Sequence, residues 1–191
     1  MNFETQPAVV PVTGSIQSGA LDVFPLLCEG VETALKTYSN VHRGSGHNSR
    51  ITTELYEKAR EIVLEYLELS GNEYVVIFGS RRRAEALKQK LKPGSHISLS
   101  GNDIGLPLGV CALAVRKKDL PAGAPSESGG GTTRLVSPGW IIWSKAPDKF
   151  EAGTPAIVNV IAFARALLLI KKYGPETFKR RSAGALSIND I

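Results

Sequence analysis

Two short stretches carry the side chains best suited to chemistry. In Gly79-Ser80-Arg81-Arg82-Arg83 a hydroxyl stands directly before three consecutive arginines. Ser80 is suited to cap a helix, and a guanidinium pairs with phosphate through charge-assisted, often bidentate hydrogen bonds. Cations in a first helical turn oppose the helix dipole, so an anion beside Ser80 and Arg81 would relieve them; the alternative is a row of ordinary exposed arginines. In Lys149-Phe150-Glu151-Ala152-Gly153-Thr154-Pro155 the order Gly153, Thr154, Pro155 is that of a helix start, with Thr154 as N-cap and Pro155 as the first helical residue. One threonine can cap a helix and touch a ligand, so both roles stay open. The histidines are His42, His47 and His96. They suggest no Ser-His-Asp or Cys-His arrangement, and His42 and His47 lack a third ligand at metal spacing. No Walker or dinucleotide glycine pattern is present.

An alternation of helices and strands must position these groups. Apolar residues at Val23, Leu27, Val31, Ala34, Leu35 and Tyr38 recur at helical spacing, and Leu55, Ala59, Ile62, Val63, Tyr66 and Leu67 form a second stripe. Thr52-Thr53 reads as the N-cap of that second helix, with Glu54 and Glu57 in its first turns. Tyr74-Val75-Val76-Ile77-Phe78 reads as a strand, followed by a helix through Ala84, Leu87 and Leu91 that ends at Pro93-Gly94. Ile97 to Leu99, Val110 to Val115, Leu135-Val136 and Trp140 to Trp143 read as further strands, and Pro121 to Gly131 as a loop. The helix after Thr154 is apolar on nearly every face, through Ile157, Val158, Val160, Ile161, Phe163, Leu167, Leu168, Leu169 and Ile170. Such a helix must be covered on several sides. A second subunit, or chain beyond Ile191, is expected to cover Ile161, Leu168 and Leu169. Residues 1–20, punctuated by Pro7, Pro11 and Gly14, read as a flexible arm, 21–178 as the domain, and 179–191 as a basic tail.

Composition narrows the function classes. A hydrophobic share of 42% supports a packed core and argues against disorder. The net charge of +5 is spread over Arg81-Arg82-Arg83, Arg116-Lys117-Lys118 and Lys179-Arg180-Arg181 without interleaved aromatics, which speaks against nucleic acid. Ala156 to Ile170 is interrupted by Asn159 and Arg165 and is shorter than the ~20 residues of a bilayer span. Cys28 and Cys111, both in apolar settings, read as buried thiols in a reducing compartment, so a cytoplasmic protein is expected.

Three segments in order resemble the class V aminotransferase and cysteine desulfurase family, which uses pyridoxal phosphate. They are Asn40-Val41-His42-Arg43-Gly44-Ser45-Gly46-His47, Ser100-Gly101-Asn102-Asp103 before Leu113-Ala114-Val115-Arg116, and Lys149 to Pro155; Gly129-Gly130-Gly131-Thr132-Thr133 is a weaker fourth. The resemblance implies an α/β fold: a shortened part of the fold-type-I pyridoxal phosphate-dependent transferase domain, with a small mixed sheet flanked by helices. It places Thr154, with Gly153, at the cofactor phosphate, reached from the neighbouring subunit of a dimer. Ser80 and Arg81 fall at the second phosphate element and His47 at the active-site mouth. It also marks where the chain departs from the family. Asp103 stands where the family has the Schiff-base lysine, and a carboxylate cannot condense with an aldehyde. The interval from Phe78 to Ser100 omits the histidine that stacks on the cofactor ring and the aspartate that pairs with its nitrogen, and the family's C-terminal domain has no counterpart. The implied function is a degenerate module, not catalytic alone and not covalently loaded with pyridoxal phosphate, that binds or dimerises as a homodimer or with a complete counterpart. The alternative is an active aminotransferase or cysteine desulfurase whose lysine comes from Lys117, Lys118 or a partner chain.

Overall fold

The computed structural model describes residues 22–41 and 45–179. The arm expected over 1–20, His42, Arg43 and Gly44, and most of the basic tail lie outside the described residues. The elements are α1 (Phe24–Leu35), α2 (His47–Tyr66), β1 (Tyr74–Gly79), α3 (Arg81–Lys88), β2 (His96–Ser100), β3 (Cys111–Arg116), β4 (Thr133–Ser137), β5 (Trp140–Trp143) and α4 (Ile157–Tyr173).

β1, β2 and β3 form one antiparallel sheet in the order β1-β3-β2, with Gly79 opposite Cys111 and Tyr74 opposite Arg116. Both faces of β1 and β3 are covered, and their period-2 alternation sorts the side chains between the two. Val76, Phe78, Ala112 and Ala114 join the core built with α1, α2 and α4. Ile77, Leu113 and Val115 pack instead with Leu87 of α3 and Leu91 just beyond it. This is the small mixed α/β arrangement expected from the sequence: helices on one face, one short helix on the other. β4 and β5 form a separate antiparallel hairpin.

The long helix α4 corrects one expectation. It is covered within the chain: α1 and α2 pack on it, and Phe163, Leu167, Val160 and Ile157 are no more than 2% exposed. Leu169 is buried as well, Ile161 is half-buried, and among the three residues expected to face a partner only Leu168, at 37%, is exposed. An apolar helix thus finds its cover in two amphipathic neighbours and the sheet. The large exposed apolar side chains concentrate on the hairpin instead, at Leu135, Val136, Trp140, Ile141 and Ile142.

Four local readings also change. α2 begins at His47 behind Gly46, not at Thr52, because the Thr52 hydroxyl is engaged in tertiary structure: it donates to the Thr37 carbonyl at 2.9 Å and accepts from Ser39 N–H at 3.1 Å. Glu57 therefore sits in mid-helix, where it pairs with Arg60. α4 begins at Ile157 with Ala156 as N-cap and no side-chain cap, so neither Thr154 nor Pro155 has the helical position expected of it. Cys111 is buried as expected, whereas Cys28 lies on the exposed face of α1. Among the described residues no helix is long and apolar enough to cross a membrane.

Candidate functional site

α2 carries a charged residue inside its apolar stripe. Arg60 lies between Ala59 and Val63 and is 6% exposed, so burial opposes its charge unless the guanidinium is fully paired. The partner is Glu151, distant in sequence. Arg60 Nη1 and Nη2 donate to its two carboxylate oxygens at 2.7 and 2.9 Å, a bidentate fork. Arg60 Nη1 also donates to the Val76 carbonyl, and Nε to Glu57. Glu151 accepts in addition from the Phe78 N–H at 2.6 Å and from the Tyr56 hydroxyl at 3.2 Å. The guanidinium carbon lies 4.9 Å from the Tyr56 ring centre and 5.2 Å from that of Phe78, so both aromatic rings shield the pair. This cluster pins the segment before α4 to α2 and β1.

The electrostatics follow from that geometry. Burial works against the Arg60 charge, but the hydrogen bonds and field of Glu151 outweigh it and hold the guanidinium above its usual range. The Tyr56 phenol is also pushed up, first by burial and next by the Glu151 charge. Raising a folded-state phenol pKa favours the proton-bearing native state, so stability from this residue is intact below the unfolded value near 10.0 and falls as pH rises beyond it. In an alkaline spectrophotometric titration we expect Tyr56 to stay silent while the protein is folded, and to appear only as it unfolds. Ionisation of Tyr56 in the folded state near its unfolded value would contradict the buried cluster.

Pinned in this way, the segment walls two cavities. The first, about 320 Å³, is lined by Gly79, Ser80, Arg82 and Arg83 at the start of α3, by Gly109 and Val110 before β3, and by Glu151, Ala152 and Thr154. Ser80 is the N-cap of α3 and accepts from Arg83 N–H at 3.4 Å; the first turn holds no acid. Arg83 Nη1 donates to the Ala152 carbonyl at 2.7 Å and so ties α3 to the same segment. Gly153 has φ +83, a left-handed conformation that glycine adopts without penalty and that turns the chain between Ala152 and Thr154. It faces the second cavity, of about 300 Å³, with Gly130, Gly131, Arg134 and Asp148. The glycine run beside it is a closed turn rather than a loose loop: buried Thr132 accepts from Gly129 N–H and donates to the Gly129 carbonyl.

The structure therefore brings Ser80 and Thr154 to one cavity, with Arg82 and Arg83 in place of Arg81, which is exposed outside it. Gly153 lines the neighbouring cavity, and His47 is exposed at the start of α2, in neither. Asp103 is spent locally, accepting from both Ser100 N–H and Ser100 Oγ at 2.8 Å. Lys117 and Lys118 follow the far end of β3, roughly 17 Å from the cavity at the rise of a strand, and Lys117 donates to the Gly71 carbonyl. Among the described residues no lysine lines the first cavity. The residues fit the phosphate end of pyridoxal phosphate, since a hydroxyl pair and two guanidiniums converge there. They do not fit its aldehyde end, which needs an amine. Arg60 and Glu151 were missed as a pair; the signal was a cation in the middle of an apolar stripe, which requires an acid somewhere in the fold.

Residues 95–187 match the family described as aminotransferase class-V. A probable cysteine desulfurase of Staphylococcus aureus (strain Mu50) is 35% identical over 77 residues, which are 40% of this chain and 19% of that protein. A probable cysteine desulfurase of Staphylococcus epidermidis (strain ATCC 35984) is 36% identical over the same length and shares. The chain thus spans 19% of the length of these curated relatives. Among solved structures, the apo cysteine desulfurase of Thermococcus onnurineus NA1 superposes with a TM-score of 0.57 at 17% identity, covering 81% of this chain and 66% of that one. The cysteine desulfurase CsdA of Escherichia coli gives 0.56 at 16%, covering 80% and 66%.

Proposed function

Because the chain is a relative of the class V aminotransferases and cysteine desulfurases, we propose that it is a phosphate-recognising binding module of that family, without catalysis of its own. The observation that carries this reading is the cavity that gathers Ser80, Thr154, Arg82 and Arg83 and has no lysine among the described residues of its lining. Pyridoxal phosphate, when bound in such relatives, supplies an electron sink for carbanion chemistry. Here the side chains that would hold it address only its phosphate: Ser80 and Thr154 through hydroxyls, Arg82 through its guanidinium. Asp103, held by Ser100, offers no amine, and Lys117 and Lys118 stand at the wrong end of β3. Binding is therefore reversible, and the module pairs with a second copy or with a complete pyridoxal phosphate-dependent counterpart. The exposed Leu135, Val136, Trp140, Ile141 and Ile142 on the β4–β5 hairpin, rather than α4, support such pairing.

The test is a titration of the purified chain with pyridoxal phosphate, followed by borohydride reduction and mass spectrometry. We expect saturable binding that inorganic phosphate competes away and that leaves no reduced lysine adduct, with no turnover of amino acids. Asp103→Lys leaves turnover absent, because an amine at that site gains neither a ring-stacking nor a ring-nitrogen partner. A stoichiometric adduct on one lysine, or substantial turnover, would overturn the reading in favour of an active enzyme.

A further inference from the structure

We infer that Glu127 is a built-in competitor for the anion site, a loop carboxylate that occupies the arginines an incoming phosphate must engage; the inference rests on the phosphate-binding reading above. Glu127 belongs to the segment between β3 and β4, far in sequence from α3. Its two oxygens are divided between the two arginines: Oε1 accepts from Arg82 Nη2 at 2.9 Å and Oε2 from Arg83 Nε at 2.7 Å. The first turn of α3 has no acid of its own, so Glu127 supplies the negative charge that three consecutive arginines require.

The two contacts are unequal. The Arg83 side chain is 37% exposed and is also fixed to the Ala152 carbonyl, whereas the Arg82 side chain is 83% exposed and donates to Glu127. An exposed ion pair is held weakly, because water and salt screen it. Arg82 is thus the movable member. It lines the same 320 Å³ cavity as Ser80 and Thr154, while Glu127 and Arg83 line the adjoining groove with Pro125 and Phe150. A phosphate entering the cavity draws Arg82 from Glu127 and meets the repulsion of the carboxylate left beside Arg83. Glu127 consequently lowers affinity for every anion and sets a threshold that a doubly charged phosphate passes more readily than a singly charged carboxylate.

The experiment compares the wild-type chain with Glu127→Gln, Arg82→Gln and the double variant, using pyridoxal phosphate, unphosphorylated pyridoxal and inorganic phosphate as probes at two salt concentrations. Thermal unfolding checks that each variant is folded. We expect Glu127→Gln to bind pyridoxal phosphate about threefold more tightly or better, with the gain shrinking at high salt and absent for pyridoxal. In the Arg82→Gln background the same change gives a smaller gain. If the wild type binds pyridoxal phosphate and folded Glu127→Gln binds it equally or more weakly, the competitor role is overturned while the phosphate-binding reading stands. If neither protein binds pyridoxal phosphate or inorganic phosphate, both fall.

Discussion

Arg60→Ala is expected to lower stability to unfolding by about 3 to 5 kcal/mol, the usual cost of leaving one member of a buried ion pair alone. Glu151 is 9% exposed at its side chain, and its bonds to Phe78 N–H and Tyr56 do not neutralise a charge. A domain of this size has roughly 5 to 15 kcal/mol in total, so the variant stands near the edge of folding. Glu151→Ala leaves the guanidinium, between two aromatic rings, with Glu57 and the Val76 carbonyl, so a smaller loss is expected. The informative variant is Arg60→Met combined with Glu151→Leu. Replacing both partners by apolar groups of similar volume is often neutral or stabilising. We expect urea denaturation to show the double variant more stable than Arg60→Ala but short of the wild type, because the Phe78 N–H and the Val76 carbonyl lose these partners at about 1 to 3 kcal/mol for each left unsatisfied. We also expect phosphate binding to weaken, because the bond from Arg83 to the Ala152 carbonyl is then left to hold that segment against the start of α3 without the Glu151 anchor. Single variants as stable as the wild type would show that the pair is not buried in solution.

Phe163→Ala is the second large effect, about 3 to 5 kcal/mol, since it removes a 0% exposed ring from the centre of the helical core. It gains meaning beside Leu168→Glu on the same helix. Leu168 is 37% exposed, and a charge there meets water, so we expect a change within about 0.5 kcal/mol and no change in oligomeric state. Denaturation and sedimentation velocity together decide. A neutral Phe163→Ala, or a Leu168→Glu variant that turns a dimer into a monomer, would mean that α4 faces a partner after all.

Periodicity made much of the fold legible. The stripe of α2 and the β-branched run of β1 locate the two elements that flank Arg60 and Phe78, and the Ser80 cap follows from its position before a polar helix. Other features depend on information that no local window holds. Thr52 reads as a cap because its hydroxyl seeks backbone groups, but the groups it finds are Thr37 and Ser39 of the preceding segment. Thr154 reads as a cap because Pro155 follows, yet Gly153 at positive φ redirects the chain and the Ile157 N–H bonds back to the Pro155 carbonyl. α4 reads as needing a partner because its cover, α1 and α2, lies more than ninety residues upstream in the sequence. The site is legible at Ser80 and Thr154, which carry their own hydroxyl chemistry, and hidden at Glu127, whose importance comes only from which arginines the loop delivers it to.

The separation of Arg60 and Glu151 also bears on how long the native state lives. They are 91 residues apart, so joining them in an open chain forfeits about 4 kcal/mol of loop entropy before any contact is gained. The pair is therefore expected to close late, after α2 and β1 have already met through nearby sequence. Interactions absent at the folding barrier do not speed its crossing but do slow escape back over it. Weakening this link should leave the refolding rate nearly untouched and shorten the lifetime of the folded chain, opening the route to proteolysis before any deficit of folding speed is felt.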